Sequence, residues 1–442
     1  MKSSYKPNSL TLAGAIAMGT GVMIGAGIFA LTGQVAQFSG PLFPLAFLLA
    51  AVVSAFSAYT YIKVSNKYPS AGGIAMILHK AYGPVTITGG GALLMAFSMI
   101  INESLVARTF ATYTLRLFDA EPVAWLVPLL AVGLIVVAFL INIAGNKVIG
   151  GMSKIAAIAK IGGILVFAVL VLWAAGFSFQ PAAVAGGDTT TVPGFLAGVA
   201  LAILAFKGFT TITNSGGEVE NPHRNVGLAI IISLAICLVV YLLVALAVSS
   251  TLSISEIAAA RDYSLAEAAR PAFGDAGVVF TVIIAIIATA SGVIASIFAV
   301  SRMIAMLTDM KLVPHKHFAM PGGIQQHALV YTVVAAGLLA AVFDLGRIAS
   351  IGAIFYLVMD IIIHWGVLRR MRNDVGANPV VLATAIIFDL AALGAFMAIK
   401  AMSDPAIIAI AVSGIVAIFL FEKLYLSRFR KEADERHETG HG

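Results

Sequence analysis

Charge is what this sequence has least of. Only 11% of its 442 residues are Asp, Glu, Lys or Arg, and 60% are hydrophobic. Soluble chains carry about 25% charge, so this composition, with a mean hydropathy of +1.00, excludes a soluble globular protein. Cysteine is scarcer still. The single Cys237 excludes an internal disulfide and a thiolate metal cluster, and its apolar surroundings ("AICLVVYLL") suit a small packing residue. Nucleotide chemistry is also missing. "GGGALL" at 89–94 has no Gly-Lys-Ser/Thr after it, so it is no phosphate loop, and ATP-driven work by this chain alone is not expected. No zinc motif, nucleophile elbow or other catalytic constellation appears, so neither an enzyme, a cofactor nor a metal is expected.

What is present is a series of apolar runs. A bilayer core about 30 Å thick needs about 20 apolar residues per helix. Twelve segments qualify, near 10–36, 41–63, 84–118, 122–144, 155–179, 193–217, 226–250, 275–308, 328–345, 348–368, 379–400 and 405–422. The fold class is therefore an all-α integral membrane protein. The first run continues past the length of a cleaved leader, which makes it a retained helix. The lipid bilayer is thus the first partner.

An even number of spans puts both termini on one side. That side collects 19 of the Lys and Arg residues, the opposite side 5, and three (Arg108, Lys160, Lys207) lie within spans. The positive-inside bias makes the richer side cytoplasmic, in a cell membrane. The net charge of +6 is then topological and implies no nucleic-acid partner. The longest loop on the other side, 250–277, contains two Ser-x-x-Glu starts, at Ser253 and Ser264. These signal short surface helices that fit a lid or a plain connector.

The stretch "GTGVMIGAGIFALTG" (19–33) places five glycines in a membrane helix. Small residues can serve close helix packing. They can also open the backbone, and non-helical backbone is tolerated in a membrane only where protein buries it or it lines a wet cavity. Span six carries a second interruption, "FKGF" at 206–209. Interrupted helices at corresponding positions in two halves of a chain point to a substrate site between inverted repeats.

Four stretches resemble the amino acid–polyamine–organocation (APC) transporter superfamily. They are "GTGVMIGAGIF", "YPSAGGIAMILHKAYGP" (68–84), "FKGFTTITNSGGEVENPHRNVGLAI" (206–230) and "SRMIAMLTDMKLVPHKHF" (301–318). They span the first eight helices. The last four spans match in number and length only. The resemblance implies a leucine-transporter-like fold of two inverted repeats of five helices, here 1–180 and 181–370. Two further helices and a cytoplasmic tail occupy 371–442, and helices 1 and 6 are broken. It places the substrate, an amino acid or related amine, against Ile24, Gly25, Ala26 and Gly27 of helix 1 and Phe206, Lys207 and Gly208 of helix 6. Phe206 aligns with an aromatic that gates the pocket. Thr210 stands where the family often has an acid, and Gly217–Glu218 where it often has Glu-Glu; both departures bear on substrate identity.

Charges inside spans are functional candidates by default. In proton-coupled members similar to this chain, a helix-5 lysine replaces a sodium ion. Here that is Lys160, its amine reaching a helix-1 carbonyl (Met23 or Ile24) and a helix-8 hydroxyl (Ser291). Snorkelling to the headgroups is the plainer reading. Glu103 is expected to pair with Lys207 or to bind a cationic substrate, and Arg108 to reach toward the membrane surface. Asp360 and His364, one turn apart in "YLVMDIIIHWG", read as a hydrogen-bonded pair or a proton relay; two ligands are too few for a metal site. The expected function is a secondary active transporter for amino acids, a proton symporter working by alternating access. A proton-independent amino acid or polyamine exchanger, a cationic-substrate permease, and a non-transporting sensor or channel are the alternatives.

Overall fold

The computed structural model describes residues 8–70, 72–118, 125–144, 146–177, 190–312 and 323–439. Helices dominate: α1 (Leu12–Met23), α2 (Phe29–Ser39), α3 (Phe43–Lys67), α4 (Gly73–Tyr82), α5 (Thr86–Leu115), α6 (Leu126–Ala144), α7 (Asn146–Ala174) and α8 (Val192–Phe206) in the first half. Then follow α9 (Phe209–Asn214), α10 (Pro222–Thr251), α11 (Ile254–Ala259), α12 (Ser264–Asp309), α13 (Ile324–Val342), α14 (Leu345–Gly366), α15 (Pro379–Ser403) and α16 (Pro405–Thr439). Among the described residues the only β pairing is one parallel bridge between Leu10 and Val219.

Among the described residues, ten helical stretches are long and apolar enough to cross a bilayer, and Leu12–Met23 and Ile158–Ala174 are shorter apolar helices. One of the ten, Phe29–Lys67, runs through a 3₁₀ turn at Gly40–Leu42. Gly40 has φ +53 there, a left-handed conformation that glycine adopts without a Cβ penalty. The two sequence spans 10–36 and 41–63 are thus separated by that turn. α12 changes direction at Gly274, φ +57, next to the start expected for its apolar run. The apolar run expected from 155 belongs to a longer helix, α7, which starts at Asn146.

The interruption in the first helix is not an unwound segment. Ile24–Ile28 form a π-helical turn between α1 and α2. One residue too many in the turn widens the helix without breaking the chain's direction, and such turns recur at functional sites. The second interruption is a two-residue turn, Lys207–Gly208, between α8 and α9. Thr210 N–H bonds to Lys207 O and Thr211 N–H to Gly208 O, so the backbone tightens to i+3 bonding there.

α5 runs through the middle of the molecule, buried along most of its length, and packs on α12, α14 and α6. α1 packs on α10 and α9, α3 on α10 and α8, and α15 on α8 and α14. The four stretches of the sequence resemblance meet in pairs. Gly73, φ +44, leaves no space for a Cβ beside Asn214, whose Oδ1 accepts the Ile74 N–H at 3.1 Å. Arg302 Nη2 donates to Glu218 Oε1 at 2.8 Å, an ion pair of largely buried side chains. The Asn-Pro step has a local cause as well: Asn221 sits at φ +47, ψ +57, which asparagine tolerates, and Pro222 follows at the first helical position, where its missing N–H costs nothing.

Between α10 and α12, Ser253 accepts the Glu256 N–H and Glu256 Oε2 accepts the Ser253 N–H, the reciprocal cap its Ser-x-x-Glu spacing predicts. These bonds hold the Glu256 carboxyl below the usual carboxylate range. The second Ser-x-x-Glu forms no such cap. Ser264 falls one residue inside α12, and its hydroxyl is buried without a hydrogen-bond partner. The segment lies against α2: Gln34 Nε2 donates to Asp262 Oδ1 at 2.7 Å, and a Cβ on Gly33 would collide with the Arg261 backbone.

Candidate substrate site and buried charges

The five glycines of residues 19–33 each face a closely packed neighbour. A Cβ on Gly19 would fall 2.5 Å from Ile212 of α9 and 3.2 Å from the Ser233 hydroxyl of α10. On Gly21 it would lie 3.3 Å from Lys160 Nζ, and on Gly25 3.0 Å from the Ala288 carbonyl of α12. On Gly27 it would meet Ala205 of α8 at 2.7 Å and the Tyr241 hydroxyl at 2.8 Å, and Gly33 abuts Arg261. Close approach on every side is thus the first physical role of these residues.

Lys160 is buried in α7, and its ammonium donates to the Gly21 carbonyl at 2.7 Å. A helix-1 carbonyl was expected, but at Met23 or Ile24. The acceptor lies three residues before the π turn, which begins at Ile24. The Ile24 N–H also points at the Gly21 and Thr20 carbonyls. Met23 instead packs over the second interruption, where a Cβ on Gly208 would fall 2.6 Å from its Cγ. The Ser291 hydroxyl turns back to its own helix, donating to the Ala288 carbonyl at 3.1 Å rather than meeting the lysine. The burial and the direct backbone bond correct the snorkelling alternative for Lys160.

A small cavity, about 20 Å³, opens where α1, α5, α9 and α12 face one another. It is lined by Val22, Met99, Asn102, Lys207, Gly208, Thr210, Thr211, Ser296 and Ala299. Such a volume holds about one water and no amino acid. Of the residues expected to touch substrate, Lys207 and Gly208 reach this space. Ile24, Gly25 and Gly27 are buried against neighbouring helices. The Ala26 backbone belongs to the π turn, and its side chain lies outside the described residues. Phe206 is fully buried, its ring 4.9 Å from that of Tyr241, so it stands in an aromatic group with Phe47 rather than over the cavity.

Glu103 and Lys207 do not form the expected ion pair. Lys207 Nζ donates to the Ser98 carbonyl and hydroxyl at 3.0 and 3.2 Å, both one helix away on α5. Glu103 Oε1 accepts from Ser296 at 3.1 Å, and its buried Oε2 has no hydrogen-bond partner. Each group thus bonds to a serine rather than to the other, and half of the Glu103 carboxyl is left without a partner. The carboxylate thus stands one hydrogen bond behind the cavity wall, through Ser296. Arg108 donates to the Ala340 carbonyl of α13 at 2.8 Å.

The sequence reading missed Asn102, Thr211, Ser296 and Met99 as lining residues. Asn102 could have been found, since it is a polar amide next to Glu103 within a span. Ser296 is one of several small polar residues along α12, and only packing singles it out. Asp360 and His364 do lie together, with His364 Nε2 at 3.4 Å from Asp360 Oδ2. A third group, Asp389 of α15, joins them at 3.4 Å from the same nitrogen. The expectation of two isolated ligands is thus corrected to a cluster of three.

Comparison with known proteins gives the chain a family. The sequence profile of the family described as amino acid permease matches residues 10–422. The chain is 28% identical over 396 residues to the inner membrane transport protein YbaT of Escherichia coli, covering 89% of this chain and 91% of the relative. It is 29% identical over 377 residues to a vacuolar cationic amino acid transporter 4 of Arabidopsis thaliana, covering 77% of this chain and 60% of that one. With the mitochondrial cationic amino acid transporter 3 of the same plant it shares 32% identity over 263 residues, 54% and 42% of the two chains.

Proposed function

This chain belongs to the amino acid permease family, and on that premise we propose that it carries amino acids across a cell membrane with protons as the coupling ion. The reading takes twelve membrane-spanning helices, α1–α2 and α7 among them, with both termini cytoplasmic as the distribution of basic residues favours. It divides the chain into two inverted repeats, 1–180 and 181–370, with α15 and α16 appended. The substrate binds between the π turn and the Lys207–Gly208 turn. Because the cavity admits about one water, α1 and α9 separate from α5 and α12 to admit it, and alternating access is that separation toward one side and then the other.

One observation carries the coupling: the buried Lys160 ammonium is bonded to the helix-1 carbonyl of Gly21, beside the π turn. A protonated Lys160 ties α7 to α1. Loss of the proton removes the charge that makes this bond strong and frees α1 to move. The lysine is behind helix 1 rather than in the cavity, so its loss uncouples transport without removing the substrate contacts. Uptake into proteoliposomes tests this. Accumulation by the parent protein rises with an inward proton gradient and is indifferent to sodium, whereas Lys160→Ala still exchanges substrate but no longer responds to the gradient. A sodium requirement in the parent overturns the reading.

A second reading concerns the substrate. The unpartnered Oε2 of Glu103 behind Ser296 favours an amino acid with a cationic side chain, in keeping with the names of the two Arabidopsis relatives. Competition by lysine or arginine that exceeds competition by alanine, and that disappears in Glu103→Gln, supports it. Equal competition before and after the substitution removes it.

A further inference from the structure

The cluster around His364 lies outside the candidate substrate site. Asp360 and His364 come from α14, one turn apart on one face, and Asp389 comes from the facing helix α15. All three are buried. Two hydroxyls from α3 attend the group: Ser57 Oγ donates to Asp360 Oδ2 at 2.6 Å and the Tyr61 hydroxyl to Asp360 Oδ1 at 2.5 Å. Asp360 is thereby satisfied and fixed. His364 and Asp389 are not, for neither imidazole nitrogen and neither Asp389 oxygen has a hydrogen-bond partner.

We propose that Asp360, His364 and Asp389 bind one divalent transition-metal ion of the zinc class, which staples α14 to α15. Three physical arguments converge. The first is spacing. His364 Nε2 stands 3.4 Å from an oxygen of each carboxylate. That is too long for a charge-assisted N–H···O bond of about 2.7–2.9 Å. It is, however, the donor–donor edge of a tetrahedral centre with bonds of about 2.0–2.1 Å, which is about 3.4 Å. The second is charge. Ionised together round a neutral imidazole, the two carboxylates put two negative charges in an apolar core, and short of taking up protons they need a counter-cation. Uncompensated buried charge is costly, and a dication with two carboxylates and a neutral imidazole is balanced. The third is the support. Ser57 and Tyr61 hold Asp360 as outer-shell hydrogen bonds hold ligating carboxylates in metal sites. The imidazole selects a zinc-class ion over magnesium or calcium, which prefer all-oxygen sites.

The position gives the staple a consequence. The Tyr61 ring packs at 5.3 Å on Phe209, the first residue of α9 after the Lys207–Gly208 turn. The surface against which α9 moves is therefore backed by the metal-bound pair.

The full-length protein, purified in detergent and stripped with a chelator, is given ZnCl₂, freed of excess, and its metal counted by mass spectrometry beside its thermal midpoint. One zinc per chain and a raised midpoint are expected, and a large excess of Mg²⁺ does not displace the ion. His364→Gln and Asp389→Asn lose the bound zinc and the stabilisation. Tyr61→Phe, which keeps all three ligands, weakens zinc about 10–100-fold as outer-shell changes do, and it serves as the test if a ligand variant fails to fold. No zinc bound by the parent overturns the proposal, as does equal binding by the parent and Tyr61→Phe. A parent without zinc whose stability changes with pH through Asp389 identifies a shared proton in the metal's place, and likewise overturns it.

Discussion

Lys160 and Lys207 are both lysines buried in the helical core, and both donate to backbone carbonyls of a neighbouring helix, yet they are held differently. Lys207 reaches two acceptors on Ser98, its carbonyl and its hydroxyl, in the interior of α5, where the backbone is regular. Lys160 has one described acceptor, the Gly21 carbonyl, beside a turn where the helix is already widened. The first arrangement clamps a charge and defines a cavity wall. The second makes the fate of a charge depend on the conformation of one helix. An ionisable group serves as a switch when its partner can leave, and as a wall when it cannot.

This contrast can be broken experimentally. The largest effect is expected at Lys160. Its replacement by Ala abolishes the response of uptake to a proton gradient, whereas Lys207→Met keeps that response and weakens substrate binding. Uptake with and without an imposed gradient, in the two variants side by side, decides it; loss of the response in both would falsify the division of roles.

Next comes Gly27→Leu. Its side chain has no room beside Ala205 and the Tyr241 hydroxyl, and such overpacking costs about 1–3 kcal/mol. Thermal unfolding in detergent shows a lowered midpoint, and added substrate no longer raises it, because the π turn is displaced. Retained substrate stabilisation would separate this glycine from the site.

Ser98→Ala is a smaller perturbation. It removes one of the two acceptors of Lys207 and leaves the carbonyl, costing about 1 kcal/mol, with gradient-driven uptake intact. If stability does not change, the carbonyl alone clamps the lysine and the two lysines are more alike than they look. Ser253→Ala is milder still. It removes the cap of the short helix α11, about 1 kcal/mol or less at this exposed end. It raises hydrogen exchange in residues 254–259 while leaving both lysines' behaviour unchanged.

Much of this molecule was legible in its sequence. The apolar runs located the helices, since a membrane demands them in one length class. The Lys207–Gly208 interruption was legible because a charge and a glycine mid-span have few innocent explanations. The π turn was not. A glycine-rich helix tells that the backbone can yield but not how, and the Lys160 acceptor is Gly21 rather than Met23 or Ile24. Asp389 was invisible for a different reason. It stands alone in its span, with no ionisable residue within a turn, and only the packing of α15 on α14 joins it to His364. The separation of Glu103 from Lys207 likewise turned on Ser98 and Ser296, which bond to the two groups that the sequence paired with each other.

The bridge between Leu10 and Val219 has a consequence for how the chain is made. Leu10 N–H bonds to the Glu218 carbonyl and Glu220 N–H to the Leu10 carbonyl, both at 2.9 Å. These partners are some 210 residues apart. At about 5–20 residues per second, the ribosome delivers Val219 roughly 10–40 s after Leu10. Gly19 and Gly27 face helices that emerge equally late. Through that interval the first helix lacks the α8, α9 and α10 surfaces that its notched faces pack on. It finishes packing only when the second half of the protein arrives, so an early pause in translation prolongs an incomplete state rather than helping a finished domain to fold.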